Sequence, residues 1–241
     1  MAIRSDSNKE EQTTIKNWFN QTYQTKGFGY LRPLEAYGIY RRLLELQPGD
    51  SFLDVACGPG LMVKQALTSG AKAHGIDISD TAIEMARQFV PQADVRVANA
   101  EELPFEDGSI DAVTCLGSLE RMIHLDKVLQ EIHRVGAADA RFCFLARNSS
   151  NYTWQIFMQR MGLRNKEGHQ GAKTLEEWTA FFSQNNFEVV DVLPDQWPFV
   201  RWRQAMTLGL YKPDPMVLRK GIKPLNKAYE FIFVLRKKSA A

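Results

Sequence analysis

Two carboxylates and a pair of glycines, spaced along "LDVACGPG" (53–60) and "GIDIS" (75–79), are the residues of this chain best suited to chemistry. Gly58-Pro59-Gly60 lets the backbone turn sharply and approach a ligand closely. Asp54 places an acid within an apolar run, and Asp77, 23 residues later, closes the next one, where a carboxylate can accept hydrogen bonds from ribose hydroxyls. The pattern points to a nucleoside-bearing ligand. It fits neither of two common alternatives. A dinucleotide loop needs a third glycine, and Val63 stands there; a triphosphate loop needs a lysine that is absent from this stretch.

Such residues require strands to end at one edge. From residue 51 onward short apolar runs alternate with helical patterns, the runs being 51–56, 72–78, 94–98, 110–116, 141–146, 187–193 and 229–237. Several are too continuous for one wet face, as expected of strands covered on both sides. Between them, Ala82, Ile83, Ala86, Phe89 and Val90 share a helical face behind Ser79 or Asp80 as cap, and Val128, Leu129, Ile132 and Val135 share another behind Asp126. Strand alternating with helix predicts an α/β, Rossmann-like doubly wound sheet. Residues 9–46 read as two helices broken around "TKGFGYLRP", and residues 148–227 hold helical pieces and five of the ten prolines. Ligands bind beyond the carboxyl ends of such strands, so these two parts are expected to act as lids that choose the substrate. One domain is expected over 1–241, made of an N-terminal helical cap (1–48), a cofactor-binding core (49–147), a lid with the sixth strand (148–227) and a last strand with a basic tail (228–241).

The motifs "LDVACGPG", "GIDIS", "ANAEELPFEDGSIDAV" (98–113) and "EIHRV" (131–135), in this order and spacing, resemble the class I S-adenosylmethionine-dependent methyltransferases, and among them the ubiquinone/menaquinone-biosynthesis group (methyltransferase type 11). The resemblance covers about 50–150 well and the final strands loosely. It implies a seven-stranded sheet, mostly parallel, with the last strand inserted antiparallel, and S-adenosylmethionine as cofactor with S-adenosylhomocysteine as product. It implies that Gly58 and Gly60, with Asp54 and Ala56 of the same motif, lie under the methionine part. Asp77, beside Ile78, would hold the ribose, Asn99 would read the adenine amino group, and Ala100 and Glu101 would flank the ring. Leu116 and Gly117 would border the sulfonium. Tyr23, Phe28, Tyr30 and Arg32 come from a segment that often closes over the cofactor in this family, with Arg32 placed to pair with its carboxylate. Three departures stand out: Ala56 for the first glycine of the loop, Asn99 for an acid, and "GAADA" (136–140) for the usual turn before the fifth strand.

Methyl transfer is an in-line displacement that depends on holding the acceptor close and collinear with water excluded. A base is needed only if the acceptor loses a proton. His124, just beyond the fourth strand, His169, on a glycine-flanked loop of the lid, and Glu120, at the same edge as His124, are the candidates; His74 and His133 read as structural. Glu120 could instead bind a cationic or hydroxylated acceptor. The stretch 195–215 mixes Trp197, Phe199, Trp202 and Tyr211 with Arg201 and Arg203, and could wall an apolar pocket or touch a membrane surface transiently.

Bulk composition narrows the class. The 44% hydrophobic and 24% charged shares are those of a soluble globular protein, and no apolar run reaches a membrane span or a secretion signal, so a cytoplasmic location is expected. Cys57, Cys115 and Cys143 lie far apart and without a CxxC pair, which argues against a disulfide scaffold and a structural zinc, and no metal is expected. Residues 201–241 carry ten Lys/Arg against two acids, a charge that could face an anionic partner. The leading expectation is transfer to a small-molecule or lipid-like acceptor. RNA or protein methylation is disfavoured because "CLGSLER" (115–121) lacks the Pro-Pro-aromatic signature used on base amines and no nucleic-acid module is appended. A cofactor-binding protein without turnover is the remaining alternative.

Overall fold

The computed structural model describes residues 2–151, 171–195, 197, 206–207 and 225–239, with side chains from residue 10 onward and Asn226 excepted. Seven strands form one sheet: β1 (Ser51–Val55), β2 (Lys72–Asp77), β3 (Asp94–Val97), β4 (Ile110–Leu116), β5 (Gly136–Arg147), β6 (Phe187–Pro194) and β7 (Glu230–Lys237), in the order β3-β2-β1-β4-β5-β7-β6. The pairs from β3 across to β5 are parallel, and β7 is antiparallel to both β5 and β6. The strand order reverses between β1 and β4, which opens a crevice at their carboxyl ends.

Helices cover both faces because the strands are apolar on both. Leu53, Val55, Val113 and Phe144 pack on one side with α5 (Leu125–Val135) and α6 (Leu175–Gln184); Phe52, Ala112, Cys143 and Ile232 pack on the other with α2 (Gly38–Leu43), α3 (Leu61–Leu67) and α4 (Asp80–Phe89). The Ser79 hydroxyl caps α4 by accepting from the Ala82 amide at 3.1 Å. Thr174 and Glu177 close a capping box at the start of α6, which buries Trp178 and Phe182. At the N-terminus α1 (Ala2–Lys26) leads through two short 3₁₀ turns, Gly27–Tyr30 and Leu34–Tyr37, into α2. No described helix is long and apolar enough to cross a membrane.

Two expectations change. Residues 136–140 are not a surface turn but the start of β5, where Gly136 pairs with Ile110 ahead of a register shift. A Cβ at Gly136 would lie 2.7 Å from the Phe142 ring, so the small residue serves packing. The described part of the basic tail is largely engaged within the chain: Arg236 pairs with Glu188, Lys237 donates to the Gly136 carbonyl, and Lys238 donates to Ser183. Burial pushes all three cysteine thiols up, as for small core residues. Of the stretch 148–227, residues 152–170, 196, 198–205 and 208–224 lie outside the described residues, among them His169 and most of 195–215.

Candidate functional site

Left-handed backbone conformations cluster where β1 ends. Ala56, Gly58 and Gly60 have φ of +59°, +52° and +86°, and α3 begins directly after Gly60. Hydrogen bonds hold this turn against β2: the Cys57 amide donates to the Ile76 carbonyl at 2.9 Å, and the Gly58 amide donates to Asp77 Oδ2 at 2.9 Å. Asp77 Oδ1 accepts from the Ser79 amide, also at 2.9 Å. Burial raises the Asp77 acid while these amides oppose the rise. A carboxylate oxygen can accept more than one hydrogen bond, so each keeps capacity for a ligand hydroxyl. Val63 occupies the helix position where a dinucleotide loop has its glycine, and the close approach is provided from the strand instead. A Cβ at Gly75 would lie 2.9 Å from Cys57 Sγ and 3.0 Å from Val63 Cγ2. The sequence signal was a glycine inside a strand pattern.

Above this turn lies a cavity of about 260 Å³. Asp54, Ala56 and Gly58 line it from β1 and its turn, Asp77 and Ile78 from β2, Asn99, Ala100 and Glu101 from the segment after β3, and Leu116 with Gly117 from β4. Tyr30 and Arg32 reach it from the N-terminal segment. Every residue expected to bind the cofactor is thus on its wall except Gly60, which packs against Val90 and Ala86 of the α4 layer. Asn99 Oδ1 accepts from the Glu101 amide at 3.0 Å, a local turn that fixes this segment. Glu101 accepts from Gln12 Nε2 at 3.1 Å and meets His124 Nδ1 at 3.0 Å.

The roof is α1. Gln12, Ile15, Phe19 and Tyr23, at helical spacing, line the cavity from above. Asn20 Oδ1 docks the helix by accepting from Ser79 Oγ at 2.6 Å and from the Thr81 amide at 3.3 Å. Of these residues the sequence singles out only Tyr23, although "QTTIKNWFNQTY" carries the period. Phe28, expected at the closure, is 41% exposed and rests on Phe89 instead. Substituting Asn20 by alanine is expected to weaken ligand binding about three- to tenfold, one hydrogen bond's worth of roof docking, as read by calorimetry.

The candidate bases lie elsewhere. His124 stands at the start of α5, paired with Glu101, and Glu120 is buried in the turn Leu119–Arg121; neither lines the cavity, which is met instead by Ser118, Arg121, Met122 and Ile123. His169 is outside the described residues. Arg32 differs most from expectation. Its Nη1 and Nη2 grip Asp195 at 2.9 Å each, and Nη2 also meets Glu230 Oε2 at 2.5 Å, so protein carboxylates hold the guanidinium that was expected to meet a ligand carboxylate. Tyr37, Tyr40, Arg147 and Glu230, unnoticed in the sequence, complete the wall on the β5 and β7 side. The only hints were Arg147 just after the run 141–146 and Glu230 near the start of the run 229–237. His74 pairs with Asp94, and His133 packs edge-on to Phe187, both in structural settings. Arg134 of "EIHRV" pairs with Glu131 and donates to the carbonyls of Leu103 and Phe105, pinning the segment that follows Asn99, Ala100 and Glu101. Among the described residues no group of three ligating side chains could hold a metal ion.

Asp54 carries a pH prediction. Burial pushes its acid up to about 7, against the opposing hydrogen bond from Thr114 Oγ1 at 2.6 Å. An acid raised in the folded state binds protons that the unfolded chain has released. Its favourable contribution is complete below its ordinary value and is lost as pH rises towards 7. Urea unfolding at pH 5 and pH 8 should show the wild type losing roughly 2–4 kcal/mol more than Asp54→Asn across that interval.

Residues 53–144 match a family model described as a methyltransferase domain. Over 108 residues the chain is 35% identical to a demethylmenaquinone methyltransferase of Symbiobacterium thermophilum, covering 41% of this chain and 43% of that protein. Over 108 residues it is also 36% identical to the ubiquinone/menaquinone biosynthesis C-methyltransferase UbiE of Brucella canis, covering 41% and 40%. The matched stretch spans less than half the length of either relative. Among solved structures, YcgJ of Bacillus subtilis superposes with a TM-score of 0.61 at 21% identity, over 86% of this chain and 99% of that one. A phosphoethanolamine N-methyltransferase 2 of Haemonchus contortus in complex with S-adenosyl-L-methionine superposes with a TM-score of 0.61 at 17% identity, over 85% and 52%. These two likenesses speak for the fold.

Proposed function

We propose that this chain, whose residues 53–144 match a methyltransferase-domain model, is a class I S-adenosylmethionine-dependent methyltransferase that transfers a methyl group to a small-molecule or lipid-like acceptor. The observation that carries the reading is the Gly58 amide bonded to Asp77 beneath the cavity, in a turn so close under the roof that a Cβ at position 58 would stand 2.7 Å from Tyr23 Oη. When bound, S-adenosylmethionine supplies a carbon already activated by a positive sulfur. Asp77 would take the ribose hydroxyls, and the cavity faces of Asn99, Ala100 and Glu101 the adenine. Gly58 would give the methionine part its close approach, and Leu116 and Gly117 would border the reacting centre. The residues of α1 exclude water from above, and positioning together with desolvation accounts for the acceleration without an assigned base.

The two quinone methyltransferase relatives favour a small-molecule acceptor over RNA or protein. Incubation with S-adenosylmethionine and a panel of phenols, quinols and amines should release S-adenosylhomocysteine at least about tenfold faster with one acceptor class than without any. Tight cofactor binding with no acceptor-dependent product would leave a binding protein and overturn the enzymatic reading.

A further inference from the structure

The oxygens of the segment that follows β3 are turned onto its own backbone. Asn99 Oδ1 accepts from the Glu101 amide at 3.0 Å, and the Asn99 carbonyl accepts from the Glu102 amide at 3.0 Å. Both bonds are local and close one tight turn. The Glu101 carboxylate is engaged at both oxygens, Oε1 with Gln12 Nε2 at 3.1 Å and Oε2 with His124 Nδ1 at 3.0 Å.

The donors of the same segment stand differently. A side-chain amide has one oxygen and one nitrogen, and only the oxygen can accept from the Glu101 amide. The Nδ2 hydrogens are therefore what Asn99 has left to offer to an occupant of the cavity it lines. Among the described residues no acceptor meets Nδ2, and none meets the backbone amide of Ala100, a wall residue only 6% exposed. A buried amide without an acceptor is rare, and a ligand atom that accepts would complete it.

An acid at position 99 would behave in the opposite way. An aspartate in this turn would keep one oxygen for the Glu101 amide and present the second, an acceptor, to the 6-amino group of a purine. Asparagine places two N–H donors where that second oxygen would stand, and a donor facing a donor makes no bond. The unprotonated ring nitrogens of adenine are acceptors, whereas its 6-amino group is a donor.

Resting on the methyltransferase reading above, we propose that Asn99 sets the specificity for the base: Nδ2, with the Ala100 amide, donates to ring nitrogens of the adenine and leaves the 6-amino group unread. The site then takes a cofactor that lacks the 6-amino group as readily as one that has it.

The test is calorimetric titration of the full chain with S-adenosylhomocysteine and with its analogue carrying hydrogen in place of the 6-amino group, which keeps every ring nitrogen. The wild type is expected to bind the two within about threefold of each other. Asn99→Asp retains an oxygen for the Glu101 amide and should prefer S-adenosylhomocysteine at least about tenfold, because its second oxygen gains a charge-assisted bond to the amino group. Asn99→Ala, which offers neither donor nor acceptor, should weaken both ligands alike by about threefold or more and serves if the aspartate variant does not fold. A wild-type preference for the amino group above about threefold, an Asn99→Asp preference below about tenfold, or undiminished affinity in Asn99→Ala would overturn the proposal. Folded wild type that binds neither ligand refutes the cofactor reading itself, an outcome distinct from binding both with the wrong preference.

Discussion

Gly58→Val is expected to lower S-adenosylhomocysteine affinity by more than about 100-fold while leaving a folded protein. Two penalties converge at this position. The φ of +52° lies in the left-handed region, where a β-branched residue is a strained outlier. A Cβ there would also stand 2.7 Å from Tyr23 Oη, and Tyr23 is only 6% exposed, so it has little room to retreat. Relief requires the turn to rotate, which breaks the Gly58 amide bond to Asp77, or α1 to lift, which opens the roof. Either movement dismantles the cradle while the sheet beneath it remains intact. Calorimetric titration together with a thermal melt separates the two effects; undiminished affinity in the variant would show that the turn is not where the ligand rests.

The second large effect concerns stability. Arg32→Met should cost about 3–5 kcal/mol of unfolding free energy, because it strands Asp195 and Glu230 as buried charges without their shared partner. The loss comes from the uncompensated carboxylates rather than from the missing contact. The triple variant Arg32→Met, Asp195→Asn, Glu230→Gln is therefore expected to recover most of the deficit, since neutral amides carry no charge to desolvate. Urea unfolding of the three proteins checks this. A single substitution that costs less than about 1 kcal/mol would show the cluster to be solvated and contribute little.

How far the sequence reaches depends on the range of the interaction concerned. Strand alternation, the cap at Ser79 and the turn around Gly58 are set by neighbours a few residues apart, and their positions in the chain match their positions in the fold. The cavity-lining residues Asp54, Asp77, Asn99 and Leu116 were legible for the same reason: they lie at or near the ends of successive strands of one parallel sheet, and strand order alone brings them together. Arg32, Asp195 and Glu230 are separated by more than 160 positions from first to second, and nothing local foretells that they meet. Arg147 and Glu230 face one another because β7 runs back between β5 and β6, a register that only the assembled sheet defines. Glu120 and His124 illustrate the converse. Their place at the edge of β4 was legible, but which side chains of a short turn reach the cavity is decided by packing, and neither is among the residues that line it. The glycine needed for close helix packing moved from the helix to Gly75 on the strand, a substitution of means that a fixed motif does not anticipate.

The central claim is that this cavity holds S-adenosylmethionine, and calorimetric titration of the purified protein with that ligand tests it most directly, with Asp77→Ala as the companion. Binding at about micromolar affinity that the variant loses is expected, because Asp77 pins the Gly58 turn and would receive the ribose. No binding to well-folded wild-type protein, or equal binding by Asp77→Ala, would contradict it.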